Sequence, residues 1–120
     1  MGTSRKRALE YAYDLLGQPR AHMRVELRQV SDGVVLKYGR RVLTKVYLNR
    51  SGMNAAVAMA AALGIHVPPA GQGVVARVST GLLYRVLAIS QLDFTNKASF
   101  EVASNLIQEA NEMRSSGSDA

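Results

Sequence analysis

The first half of the chain carries basic side chains at spacings that would bring them together on a folded surface. Arg24 and Arg28 have the same parity in one alternating stretch, and Lys45 lies in a later stretch of this kind. A guanidinium group is a planar fork that donates two hydrogen bonds to a phosphate, and an ammonium group binds phosphate as a point charge. The candidate nucleic-acid-binding residues are Arg24, Arg28, Lys37, Arg40, Arg41 and Lys45.

The formal charge of the chain is concentrated in the same half. Residues 1–50 hold 11 of the 15 Lys and Arg residues but only 4 of the 9 acidic ones, and the whole chain has a net charge of +6. Such asymmetry produces a directed field that favours an anionic partner. Tyr38 and Tyr47 lie among the cations, where their rings could stack on bases. The alternative is that these are solvent-facing residues that serve solubility.

Other chemistry is weakly represented in the sequence. The chain has no Cys, which excludes disulfides and thiolate sites, and His22 and His66 have no ligand-like spacing to each other or to a carboxylate. There is no Gly-x-Ser-x-Gly and no Gly-Lys followed by Ser or Thr. We therefore predict no catalytic residues, no metal site and no cofactor, and expect that the protein is not an enzyme.

The basic residues must be positioned by strands, because the sequence around them alternates. Met23, Val25 and Leu27 share one parity of a strand over residues 23–30. Asp32-Gly33 is a hairpin signal before a second strand at 34–38, and a turn at 39–41 leads to a third at 42–48. A strand with one solvent-facing side indicates a mainly antiparallel sheet.

Helices are predicted on either side of these strands. A first helix over 4–16 is capped by Thr3 or Ser4 and ended by Gly17. A second helix, from Ser51 to Leu63, is capped by Ser51 and ended by Gly64, and a last one covers about 96–113. The second is apolar nearly all round, so it either lies centrally in the core or forms a self-association surface.

Two further strands are predicted between the second and last helices, at 74–79 and 82–92. The second of these is apolar on both parities, which fits a covered strand or a pairing edge between subunits. The predicted fold class is α+β, a mainly antiparallel sheet with helices packed on it, in the order α-β-β-β-α-β-β-α.

The length and composition fit one domain. The 120 residues are 48% hydrophobic and 20% charged, so we expect a single α+β domain over 1–114 and a flexible C-terminal tail over 115–120. No apolar run is long enough to span a bilayer and the N-terminus lacks a signal-like apolar region, so we expect no membrane association and a cytoplasmic or otherwise intracellular, non-secreted protein.

Two resemblances concern the order of elements. The helix–strand–strand–strand–helix order over 4–64, with Arg50-Ser51-Gly52 before an Ala-rich helix, resembles the double-stranded-RNA-binding domain. That family has a Lys cluster at the start of this helix, whereas this chain reads Gly52-Met53-Asn54-Ala55, so no binding residues are transferred. The full predicted order is similar to the chaperones of type III export, which are typically acidic.

These observations predict a non-enzymatic, basic nucleic-acid-binding module. We expect it to contact nucleic acid, RNA rather than DNA, through residues 1–50 and to act as a homo-oligomer through the Ala-rich helix or the segment 82–92. The alternative is a protein-interaction or assembly module with a protein partner, chaperone-like or a structural component of a particle, whose binding surface is apolar.

Overall fold

The computed structural model describes residues 4–17 and 21–117. In the described residues the order is α-β-β-β-α-β-α-α. The elements are α1 (Arg5–Leu16), β1 (His22–Val30), β2 (Gly33–Tyr38), β3 (Arg41–Tyr47), α2 (Arg50–Leu63), β4 (Gly73–Ser79), α3 (Thr80–Ile89) and α4 (Lys97–Gly117). The fold class is α+β, as predicted.

The four strands form one antiparallel sheet in the order β3-β2-β1-β4. Alternation decides its faces: Met23, Val25 and Leu27 are buried against the helices, and the residues between them point away from the core. β3 pairs with β2 through a register shift at Leu36/Lys37, which makes Leu43 the extra residue of a bulge.

Local capping sets the starts of the helices. Ser4 accepts a hydrogen bond from the Arg7 N–H and caps α1, which is one of the two caps predicted. The cap of α2 is Asn49, whose Oδ1 accepts from the Gly52 N–H at 2.7 Å, and not Ser51. The Ser51 hydroxyl instead accepts from the Phe94 N–H, which ties α2 to the segment before α4.

Most of helix α2 lies in the core of the domain. It packs against α3, α4 and β3, and its Ala56, Met59 and Ala62 are fully buried. The small Ala side chains let three elements approach its backbone closely, so most of its apolar surface is used inside the domain, as the central-core alternative predicts. Met53 and Val57 are its exposed apolar residues.

The predicted strand over 82–92 is wrong, because Thr80–Ile89 forms helix α3. Leu82, Leu83, Val86 and Leu87 are buried, and their spacing is helical. The Ser79 hydroxyl accepts from the Leu82 N–H and starts the helix immediately after β4. A buried helix is apolar on both parities, as a covered strand is, so alternation alone could not distinguish them. The element order that resembled the type III export chaperones is therefore absent.

Ion pairs and caps connect the helices. Glu109 of α4 accepts a bidentate pair from Arg5 of α1, at 2.7 and 2.8 Å, and a third bond from Arg85 of α3 at 2.9 Å. These bonds, Arg5 first, hold the pKa of Glu109 below its usual value. Arg5 therefore stands in the first turn of α1, against the helix dipole, because Glu109 neutralises it.

The C-terminal part of the chain is helical further than expected. Helix α4 runs to Gly117, into the segment predicted as a tail, and residues 118–120 lie outside the described residues. Arg114 near its end donates to the Ala61 and Ala62 carbonyls and so caps the C-terminus of α2.

Candidate nucleic-acid interface

One face of the sheet points away from the helices, and we call it the open face. It consists of the outward residues of the four strands. These are Arg24, Glu26 and Arg28 of β1, Val35 and Lys37 of β2, Val42, Lys45 and Tyr47 of β3, and Gly73, Val75 and Arg77 of β4. Glu26 is the single acid in the four strands, against five cations on this face, so the open face is strongly basic.

Three of these cations have no hydrogen bond or ion pair to any described residue, and we call them the free cluster: Arg24, Lys37 and Arg77. The register places Arg24 directly opposite Arg77, and places Lys37 opposite Glu26, diagonal to Arg24. Like charges directly opposite each other on a sheet are destabilising. Arg24 and Lys37 line a groove of about 480 Å³ together with Tyr38, Gly39 and Val75.

The other end of the open face holds its cations in ion pairs, and we call it the paired cluster: Arg28 with Glu26, and Lys45 with Asp32. Arg28 Nε lies 3.2 Å from Glu26 Oε1, and its Nη1 donates to the Gly71 carbonyl at 2.9 Å. Lys45 Nζ lies 2.8 Å from Asp32 Oδ1. This contact lowers the pKa of Asp32 and raises the pKa of Lys45.

The two remaining candidates, Arg40 and Arg41, lie at the β2–β3 turn. Arg40 is exposed in the turn itself, three positions after Lys37. Arg41 pairs in register with Tyr38 on the helix side of the sheet, and its guanidinium donates to the Leu15 carbonyl at 2.9 Å. Arg41 therefore caps the C-terminal end of α1 and is turned away from the open face.

The two tyrosines also separate. Tyr47 is 57% exposed on the open face, with Lys45 Nζ 5.0 Å from its ring centroid. Tyr38 is half-buried and packs against the core from the helix side. The strand register therefore places Tyr47, and not Tyr38, among the outward residues of the open face.

The structure thus brings together Arg24 and Lys37 and adds a residue that the candidate set lacks. Arg77 belongs to β4, 53 positions after Arg24, in a segment whose sequence carries one cation among apolar residues. Its parity in β4 gave a signal for an outward position, but pairing with Arg24 depends on β4 lying beside β1.

Other kinds of site have little support in the described part of the chain. His22 and His66 are both exposed, one at the start of β1 and the other between α2 and β4. Residues 4–17 and 21–117 contain no group of three or more His, Cys, Asp or Glu that could hold a metal ion. The same residues include no helix with the length and hydropathy needed to cross a membrane.

Comparisons with known proteins found no match, so we infer function from the fold and from the open face. No protein-family model matches the chain, and no significant match is found among curated proteins or solved structures.

Proposed function

We propose that this protein is a non-enzymatic module that binds single-stranded nucleic acid, RNA in the first instance, on the open face. The observation that supports this most is the direct cross-strand pairing of Arg24 with Arg77, with Lys37 diagonal to Arg24. This arrangement costs folding free energy, because each cation repels its neighbour. A bound phosphate would remove that cost and gain charge-assisted hydrogen bonds from the same groups.

The shape of the open face supports a single strand over a duplex. Four strands at about 4.8 Å spacing make a surface about 14 Å wide before side chains are added. The major groove of B-DNA is about 12 Å wide and admits a helix or a two-stranded ribbon. A single strand can instead lie across a sheet, and RNA is read mostly in single-stranded segments.

The position of Tyr47 supports a path across the sheet. It lies opposite Gly33, four residues along β2 from Lys37, which is about 13 Å at the rise of a strand. A strand of RNA with its phosphates on the free cluster would reach Tyr47 within a few nucleotides. There a base can stack on the exposed ring, which is a sequence-tolerant contact.

Fluorescence anisotropy with a labelled 12-nucleotide RNA, an RNA hairpin and a DNA duplex, each at several salt concentrations, tests this proposal. We expect the single strand to bind most tightly. The triple variant Arg24→Ala, Lys37→Ala, Arg77→Ala should lose more than about 30-fold in affinity at moderate salt. The magnitude of its log–log salt slope should fall by about 2, at about 0.7 per contact.

A matched control removes the same net charge from the helical layer: Lys6→Ala, Arg7→Ala and Lys97→Ala. These side chains are exposed and have no ion pair to any described residue. We expect its affinity to stay within about threefold of the wild type. Equal losses in both variants, or no binding of any ligand at low salt, would contradict the proposal.

The second candidate is a protein-interaction module, supported by an apolar ridge on α2. Met53 and Val57 lie one turn apart and are 37% and 56% exposed. Val57 also borders a shallow groove with Ile65 and Val67. Val57→Asp should leave RNA affinity unchanged if the open face is the functional surface, and should abolish partner binding if this ridge is.

A further inference from the structure

The two edges of the sheet are built differently, and β3 is the protected one. Its pairing with β2 is broken by the bulge at Leu43, and it carries Arg41 and Lys45. Bulges and charged side chains are the devices by which natural sheets prevent an edge from pairing with another chain. β3 is therefore unsuited to extend the sheet.

The opposite edge, β4, has few of these features. All seven of its residues pair with β1 in unbroken register, from His22↔Ser79 to Arg28↔Gly73. The strand contains no Pro and one charged residue, Arg77. Among the described residues β4 is paired on one side alone, so its outer N–H and C=O groups are available as a template for another strand.

Apolar side chains of β4 are incompletely covered on both faces of the sheet. On the helix side Val74 and Ala76 are half-buried, although their partners on β1, Leu27 and Val25, are 0% and 1% exposed. On the open face Val75 is 48% exposed. An occupant of this edge must therefore continue the sheet and also bring an apolar layer on the helix side.

A second copy of this chain meets both requirements, and we propose that β4 pairs antiparallel with β4 of a second copy. The two-fold axis stands perpendicular to the sheet, so both helical layers lie on one side and both open faces on the other. A register centred on Ala76 pairs all seven residues. It places Val74 opposite Val78 of the second copy, and Val75 opposite Arg77 of the second copy. Arg77 therefore does not lie directly opposite Arg77 of the second copy.

This pairing joins the two free clusters into one surface. The two Arg77 residues become diagonal neighbours across the seam, about 7–8 Å apart. Each copy then contributes cations to a site that neither has alone, and their repulsion opposes the dimer until a polyanion binds. The nature of the ligand rests on the proposed function, whereas the strand pairing does not. Because linkage is reciprocal, RNA should tighten the dimer by the factor by which the dimer tightens RNA.

Sedimentation velocity of the full chain across a concentration series tests the pairing, with Val75→Lys as the variant. The introduced ammonium group would face Arg77 of the second copy, and the symmetric seam contains this repulsion twice. We expect the dimer dissociation constant to rise at least about tenfold. The fold should persist, because Val75 is half-exposed and lies opposite Glu26 within the chain; circular dichroism and urea unfolding check this.

The matched control is Val42→Lys on the other edge. Val42 is 50% exposed on the open face, nearly the same as Val75, so the substitution and its exposure are alike. We expect this variant to dimerise as the wild type does. Equal weakening in both variants, an unchanged dimer in Val75→Lys, or a wild type that stays monomeric at about 200 µM with and without the 12-nucleotide RNA would overturn the pairing.

A second arm repeats the series with the 12-nucleotide RNA present. We expect RNA to lower the dimer dissociation constant of the wild type, and an unchanged constant with RNA bound would overturn the shared site. If the RNA does not bind at all, the proposed function fails. The contrast between Val75→Lys and Val42→Lys then decides the strand pairing by itself.

Discussion

The two ends of the open face carry similar side chains in different electrostatic states. In the paired cluster, Arg28 and Lys45 each lie within 3.2 Å of a carboxylate oxygen. In the free cluster, Arg24 and Arg77 lie opposite each other with no acid between them. Asp32, which lies in a turn next to the sheet, neutralises Lys45. A single substitution that introduces an acid could neutralise a cation of the free cluster in the same way.

The difference separates cations that serve the fold from cations that do not. Arg28 fastens β1 to the loop before β4 through Gly71, and Lys45 fastens β3 to the β1–β2 turn. The free cluster makes no contact of this kind within the described residues and adds repulsion. A surface that keeps such repulsion is typical of a binding site, where stability is lower than the same fold could have.

The largest expected effect comes from converting the free cluster into a paired one. Arg77→Glu places a carboxylate opposite Arg24, so we expect RNA affinity to fall about 100-fold. The free energy of unfolding should rise by about 0.2–1 kcal/mol, because a repulsive cross-strand pair becomes attractive. Anisotropy and urea unfolding measure the two quantities on one sample.

The control for this change is Arg50→Glu, the same reversal at an exposed position at the start of α2. We expect it to alter RNA affinity by less than about threefold. A loss of stability in Arg77→Glu, or equal affinity losses in the two variants, would show that the free cluster is not held at a cost for binding.

A smaller effect is expected from breaking the paired cluster. Glu26→Gln removes the carboxylate that Arg28 contacts and the single acid of the open face. We expect the free energy of unfolding to fall by about 0.5–1 kcal/mol. RNA affinity should rise about two- to threefold, or by about 0.5 kcal/mol, because a repulsive charge is gone. Weaker RNA binding in this variant would mean that Glu26 positions the ligand.

The smallest effect concerns pH and the Asp32–Lys45 pair. The hydrogen bond from Lys45 lowers the pKa of Asp32 from its usual 3.8. The stability that this pair contributes is therefore complete above that value, and is lost as pH falls through the lower pKa of the folded state. Urea unfolding from about pH 7 to about pH 2 should show this loss in the wild type, and Asp32→Asn should lack that component. An identical pH profile in both proteins would contradict it.

The sequence predicted the first three strands, and the two faces of the first, because local alternation carries that information. Met23, Val25 and Leu27 are buried and Arg24 is exposed, as their parity indicated. The start of α1 at Ser4 and the end of α2 before Gly64 also followed from local chemistry. The segment 82–92 was missed because it is apolar on both parities, a pattern that a covered strand shows as well as a largely buried helix.

The candidate site was predicted only in part, because a local sequence pattern gives the face of a residue but not its contacts. Parity placed Arg24 and Arg28 on one face, and the strand register adds Lys37 and Lys45 to the same face. Parity says nothing of what each cation contacts. Arg41 was included because it adjoins Arg40, yet it reaches Leu15 on the other side of the sheet, 26 positions earlier.

By itself the sequence determined the fold class, the outward face of the first strand and the excess of positive charge, since each depends on residue type and short spacing. Only the tertiary structure decided which of those charges are free. A salt bridge requires two groups within about 4 Å, and that distance is set by which strands become neighbours. Arg77 joins Arg24 because β4 returns to lie beside β1, and Lys45 is neutralised because the β2–β3 hairpin brings it to Asp32.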